Sequence, residues 1–197
     1  GGRVLEVGCG TGLILRELSG IAEYAVGLDL SRGMLRKARA RGLNVVEGSA
    51  TALPFPDGSF DSVCSFKVLA HVEEIEKALS EVGRVLRPGG RAALEFYNRR
   101  SLRYLLKMIK RPDAISESTT DEEVFTRYDD LETIRGYLPT TLRLDGIHGI
   151  RVFTPFAMVH QLPGVGSVFR WLERAGRDNR FTRPFGGFLV VVLTRTE

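Results

Sequence analysis

Two cysteines, three histidines and no long apolar run set the first limits on this 197-residue chain. Cys9 and Cys64 both fall in segments that read as interior, so no disulfide framework is indicated and a reducing, cytoplasmic setting is expected. His71, His148 and His160 have no ligand spacing with the cysteines, so no metal centre is expected. No stretch reaches the roughly 18 apolar residues that a membrane-crossing helix requires. The N-terminus lacks the ordered charged head, apolar core and cleavage site of a secretory signal. Internal repeats and low-complexity linkers are absent too.

What is present is an ordinary globular composition, 43% apolar, in a chain long enough for one well-buried core. A single domain over residues 1–197 is expected. The net charge of +4 and pI near 9.3 permit contact with anionic lipid or nucleic acid without demanding it.

The first half alternates strand and helix patterns. Residues 4–7 form an apolar strand that runs into a turn holding Gly8, Gly10 and Gly12, and then into a helical pattern that Gly20 ends. Glycine in such a turn accepts positive φ and lets a ligand approach the backbone, while N–H groups at the helix start face that ligand. A second strand, 24–31, carries Asp29 at its end. An acid about 20 residues past a glycine turn suits ribose hydroxyls, and a cap on the helix at 32–41 is the alternative, or both together. A short strand at 45–47, a loop rich in Pro and Gly, a strand at 60–65, a helix at 73–86 stopped by Pro88-Gly89-Gly90, and a strand at 91–97 follow. This alternation implies parallel strands joined by right-handed crossovers.

The second half is less regular. Residues 101–111 read as an amphipathic helix, with Leu102, Leu105, Leu106 and Ile109 on one side and Arg103, Lys107 and Lys110 on the other. The tract 99–111 holds six positive charges and no negative one. It reads either as a core-packed helix with a solvated basic face or as a patch for a membrane surface or anionic substrate. A polar, acidic loop at 113–123, a helix at 128–138 capped by Asp129 or Asp130, a strand starting at 140–146, a second basic amphipathic helix at 163–177 and a buried strand at 188–194 complete the chain.

The blocks VLEVGCGTG, GLDLS, EGSATALPFPDGSFDSVCS and RVLRPGGRAALEF, in this order, resemble the class I S-adenosylmethionine-dependent methyltransferases, especially the small-molecule group called methyltransferase type 11. The resemblance covers about the first hundred residues. It implies an α/β, Rossmann-like three-layer sandwich with a seven-stranded, mostly parallel sheet in the order 3-2-1-4-5-7-6, strand seven antiparallel. Residues 98–127 and 150–185 would be lid-like insertions, and helices that precede the first strand in this family are expected to be missing.

By the same resemblance the cofactor is S-adenosyl-L-methionine. Glu6, Gly8, Cys9, Gly10, Thr11 and Gly12 would hold its methionine portion and Asp29 its ribose, with Leu30 and Met34 against the adenine. Ser49 and Ala50 stand where the family has Asp-Ala. With the acid absent, Ser49 would bond the adenine amine more weakly. Ser65 and Phe66 match positions lining the methyl-donor site. The segment Ser65-Phe66-Lys67-Val68 departs from the Asp/Asn-Pro-Pro-aromatic motif of nucleic-acid amino methyltransferases, so nucleic acid is not the expected acceptor.

His71 is the candidate general base, with helix capping or packing as the alternative. Tyr97, Asn98 and Tyr128 are candidate substrate-lining residues. The expected reaction is methyl transfer to an O, N or C nucleophile of a small-molecule or lipid-like acceptor, with peripheral contact to an anionic membrane as a further expectation. A nonenzymatic sensor of S-adenosylmethionine or S-adenosylhomocysteine, an RNA methyltransferase and a nicotinamide dehydrogenase are the alternatives. The glycine pattern G-x-G-x-G differs from the dehydrogenase fingerprint G-x-G-x-x-G. The sequence leaves the oligomeric state open.

Overall fold

The computed structural model describes residues 2–109, 114–116, 119–120, 125–152, 165–176, 179 and 181–197, of which 107, 109, 114–116, 119–120 and 165–170 are described by backbone alone. The ends of both expected basic helices and His160 lie outside the described residues. In chain order the strands are β1 (Arg3–Val7), β2 (Tyr24–Asp29), β3 (Val45–Glu47), β4 (Phe60–Ser65), β5 (Leu86–Tyr97), β6 (Ala114–Ser116), β7 (Thr119–Thr120), β8 (Leu142–Ile150) and β9 (Phe188–Arg195). The helices are α1 (Leu13–Ser19), α2 (Arg32–Arg39), α3 (Ile75–Val85), α4 (Leu102–Ile109), α5 (Leu131–Tyr137) and α6 (Val165–Gly176).

Seven strands form one sheet in the order β3-β2-β1-β4-β5-β9-β8. Counting only these strands, this is the expected 3-2-1-4-5-7-6. The pairings from β3 to β5 are parallel, and β9 runs antiparallel to both β5 and β8. Alternation along the strands divides the core between the two faces. Leu5, Val7, Val26, Leu28, Val63, Leu94 and Phe96 join Leu79, Val82 and Ile134 of α3 and α5 in the larger cluster. Ala25 turns to the opposite face and packs with Cys9, Leu15 and Leu35, which bring in α1 and α2. The result is helix, sheet, helix, with the parallel strands ending together on one rim.

Several boundaries shift for local reasons. Pro88-Gly89-Gly90 does not delay β5. Phe60 pairs with Leu86 and Ser62 with Arg91, and the extra residues are taken up in an irregularity where Gly89 adopts φ +75°. Helix α5 starts at Leu131, because the Asp130 side chain accepts the Thr133 N–H at 3.0 Å and caps it there. Within the segment expected as an acidic loop, β6 and β7 pair antiparallel, in keeping with the β-branched Ile115, Thr119 and Thr120.

Helix α4 is turned the other way from the core-packed reading. Ser101 is buried, and its hydroxyl accepts the Tyr104 N–H at 3.1 Å, which sets the phase of the first turn. Leu102, Leu105 and Met108 consequently stand exposed. Arg103, expected on the solvated face, lies half-buried with its guanidinium 4.9 Å from the Phe188 ring centroid. Cation–π attraction makes that inward position favourable for an arginine.

Candidate functional site

The rim formed by the ends of β1, β2 and β4 opens into a cleft of about 540 Å³. Val7 and Gly8 line it from the first strand and turn, Leu28, Asp29 and Leu30 from the second strand, and Ser49, Ala50 and Thr51 from the loop after β3. Lys67, Val68 and His71 close the side beyond β4. The size is that of a pocket for a ligand of nucleoside dimensions.

The glycine turn shapes the floor. Gly8 adopts φ +77°, and a Cβ there would lie 2.1 Å from Val68 Cγ2, so any side chain would strain the turn and strike the cleft wall. Gly10, at φ +54°, has nothing within 4 Å of where its Cβ would be and faces open space. Beneath this turn Glu6 is only 3% exposed, and its Oε2 has no hydrogen-bond partner among the described residues. Burial pushes its carboxyl up to about 7; the Leu15 backbone N–H opposes the shift and the nearby Asp29 charge adds to it. A buried carboxyl oxygen without a donor, next to a turn with open space, fits a ligand carrying a cationic amine.

Asp29 already accepts two backbone N–H groups, Gly10 at 2.8 Å through Oδ2 and Ser31 at 2.8 Å through Oδ1. The cap of α2 is Ser31, whose hydroxyl accepts the Met34 N–H at 3.3 Å, so the capping alternative for Asp29 is replaced by a bridge from β2 to the glycine turn. Leu30, on the cleft, and Met34, in the first turn of α2, are 72% and 43% exposed, apolar side chains left uncovered among the described residues. Ser49 and Thr51 share a hydroxyl contact of 2.8 Å, and Ala50 is buried at the same wall.

Other residues singled out in the sequence have different surroundings. The Cys9 thiol packs towards Gly27 in the smaller core cluster, and burial, aided by the Glu6 and Asp29 charges, pushes it up to about 12. Thr11 offers its carbonyl to Arg41 at 2.7 Å, and Gly12 starts α1 in the left-handed region. Ser65 is fully buried and donates to the Val7 carbonyl at 2.9 Å, tying β4 to β1, while Phe66 follows it half-buried. Asn98 is fully buried too. Its amide donates to the carbonyls of Pro184 and Gly186 at 2.8 and 2.7 Å, and its Oδ1 accepts the Arg100 N–H, so this side chain clips the turn before β9.

His71, Tyr97 and Tyr128 do come together. The His71 and Tyr97 rings meet edge-on with centroids 5.8 Å apart, Tyr97 and Tyr128 are 5.7 Å apart, and Phe188 and Tyr104 extend the cluster. His71 is exposed to the cleft, and its Nδ1 lies 2.9 Å from the Phe125 carbonyl and 3.3 Å from the Thr126 hydroxyl. A carbonyl only accepts, so Nδ1 carries the hydrogen and Nε2 holds the lone pair of the neutral ring.

Glu95 is the residue that sequence reasoning passed over. It is 6% exposed, and its Oε1 has no hydrogen-bond partner among the described residues. Burial raises its carboxyl above the usual range, opposed by Lys67, Arg151 and Arg103. Like Glu6, it is an acid inside an apolar strand run, and that was the available signal. Lys67, among the few non-glycine residues at positive φ (+60°), sits where this acid approaches the cleft wall.

The profile of the Methyltransferase domain family matches residues 5–94. A demethylmenaquinone methyltransferase of Thermus thermophilus is 48% identical over 104 residues, covering 48% of this chain and 47% of the relative. One of Mycolicibacterium paratuberculosis is 32% identical over 157 residues, covering 76% of this chain and 66% of the relative. The chain thus spans about half the length of the first of these relatives. In three dimensions, an S-adenosylmethionine-dependent methyltransferase of Thermotoga maritima superposes with a TM-score of 0.70 at 22% identity, over 100% of this chain and 83% of the other. That likeness establishes the fold alone.

Proposed function

We propose, on the premise that residues 5–94 belong to the S-adenosylmethionine-dependent methyltransferase domain family, that the chain transfers a methyl group from that cofactor to a ring nucleophile of a lipid-like, quinol-type acceptor. The observation that carries this reading is the continuity of one cleft, from the glycine turn and Asp29 to His71 and the aromatic cluster behind it. The demethylmenaquinone named for the relatives supplies the acceptor class.

The bound cofactor supplies a methyl group already activated on a sulfonium. The chain has to hold, align and keep dry. Glu6 and the Gly8–Gly12 turn would hold the amino-acid end of the cofactor, Asp29 the ribose, and Leu30, Met34, Ser49 and Ala50 the adenine. Alignment of the two reacting atoms is the main catalytic contribution, as it is wherever the leaving group needs no activation. The acceptor hydroxyl gives its proton to Nε2 of His71 as the ring carbon attacks the methyl, and the hydrogen on that carbon then leaves as a proton while the oxygen is reprotonated, which restores the aromatic ring. Nδ1, held by the Phe125 carbonyl, keeps the ring in the required tautomer. Tyr97 and Tyr128 offer flat faces for an aromatic acceptor.

Peripheral membrane contact belongs to the same reading, since a lipid-like acceptor resides in a bilayer. Among the described residues no helix is long and apolar enough to cross one. Leu102, Leu105 and Met108 of α4, and Trp171, Phe181 and Phe185, are exposed apolar side chains, and with the basic Arg99 and Arg100 at the start of α4 they suit an anionic interface. Flotation of the protein with anionic and neutral vesicles at low salt checks the membrane part. Transfer of a labelled methyl group to a short-chain demethylmenaquinol checks the reaction. Cofactor binding without transfer to any quinol would return the chain to a nonenzymatic sensor.

A further inference from the structure

Away from the cleft, a second cavity of about 250 Å³ lies between α5, the β8–β9 pair and the 3₁₀ turn Arg183–Phe185. Its floor is apolar, from Leu131, Ile147 and Leu189, and three arginines stand around it: Arg100, Arg135 and Arg183. Arg100 is only partly neutralised. It lies 3.3 Å from Asp130, a carboxylate that Arg99 occupies more closely at 2.5 Å. Among the described residues, neither Arg135 nor Arg183 has a carboxylate within ion-pair distance, and the single acid on the wall, Glu132, leaves the group net positive. Like charges gathered over an apolar floor repel one another, and a multivalent anion relieves that repulsion.

We propose that this pocket binds a phosphate group through Arg100, Arg135 and Arg183, and that the phosphate is the headgroup of an anionic phospholipid. Guanidinium forks match phosphate oxygens in pairs, which makes arginine the residue suited to this ligand. A free phosphate would satisfy the three charges equally well. The lipid source follows from what flanks them: Phe181 and Phe185 bracket Arg183 and are 73% and 54% exposed, and Leu102, two residues past Arg100, is 50% exposed. Apolar side chains placed beside a phosphate site can enter the acyl boundary while the arginines hold the headgroup. The inference rests on the membrane part of the proposed function. It adds the place where the headgroup is read.

The test compares the wild-type chain with two double variants of equal charge change. Arg135→Gln/Arg183→Gln alters the pocket, and Arg36→Gln/Arg39→Gln alters exposed positions on α2. Partitioning onto phosphatidylcholine vesicles containing phosphatidylglycerol should fall about fivefold per pocket charge, roughly 25-fold for the pocket variant. The α2 variant should stay within about twofold. Both should keep wild-type affinity for S-adenosylmethionine and wild-type methyl transfer to a water-soluble acceptor; absence of both from wild type itself would overturn the methyltransferase reading without touching the vesicle comparison. Equal losses in the two variants, or no partitioning by wild type, would overturn the pocket. A parallel titration with inorganic phosphate, followed through the arginine Nε–H signals, separates the sources: saturable phosphate binding without vesicle partitioning would overturn the lipid assignment.

Discussion

Glu6, His71 and the two thiols carry chemistry that a change of pH or a single substitution can expose. With an ordinary carboxyl value of 4.5 in the unfolded chain and about 7 in the fold, the native protein holds the extra proton between these values. Stability therefore falls as pH rises from about 4.5 to 7, by on the order of 3 kcal/mol from this group. A cationic ligand amine favours the ionised form, so cofactor affinity should rise as pH climbs through 7. Calorimetry from pH 5.5 to 8.5 checks this, and Glu6→Gln should flatten the dependence. His71→Gln should lower methyl transfer by roughly 10²- to 10⁴-fold. Cofactor affinity should stay unchanged in that variant. Cys9 and Cys64 are both buried and both pushed up to about 12. Neither should react with a thiol-specific disulfide reagent at pH 8 until the fold is opened by denaturant.

Among the elements, α4 decides most about how the molecule meets its surroundings. Because Leu105 and Met108 are exposed, Leu105→Glu/Met108→Glu should change stability by no more than about 0.5 kcal/mol per site, the usual range for surface positions. The same pair should abolish partitioning onto anionic vesicles. The chain's single tryptophan, Trp171 on α6, is 67% exposed and supplies the readout, a blue shift of emission on vesicle binding that the α4 variant loses. The inward turn of Arg103 was beyond a reading of periodicity, since helical spacing identifies an apolar stripe without saying what it faces. Asn98 was hidden for a related reason. Its proximity to the site was legible from the end of β5, but its partners are carbonyls 86 and 88 residues later in the chain. Asn98→Ala would leave one buried and one partly buried carbonyl without this donor and should cost about 1–3 kcal/mol in a denaturant melt.

At the scale of the whole molecule, the sheet order was readable because the first hundred residues are locally consistent. Apolar strands, glycine stops and helical spacing agree there, and Gly8, Asp29 and Ser49 fall on one rim as the sheet order requires. The aromatic cluster proposed to meet the acceptor was less legible: Tyr104 and Phe188, which extend Tyr97 and Tyr128, come from separate parts of the chain, and no local pattern announces that they meet. The most direct measurement of the central claim is a methyl-transfer balance. The protein, S-adenosylmethionine labelled in its methyl group and a short-chain demethylmenaquinol are incubated together, and labelled acceptor and S-adenosylhomocysteine are quantified. Equal amounts of both, rising with enzyme and lost with His71→Gln, are the expected result. Saturable cofactor binding with neither product formed would contradict the account.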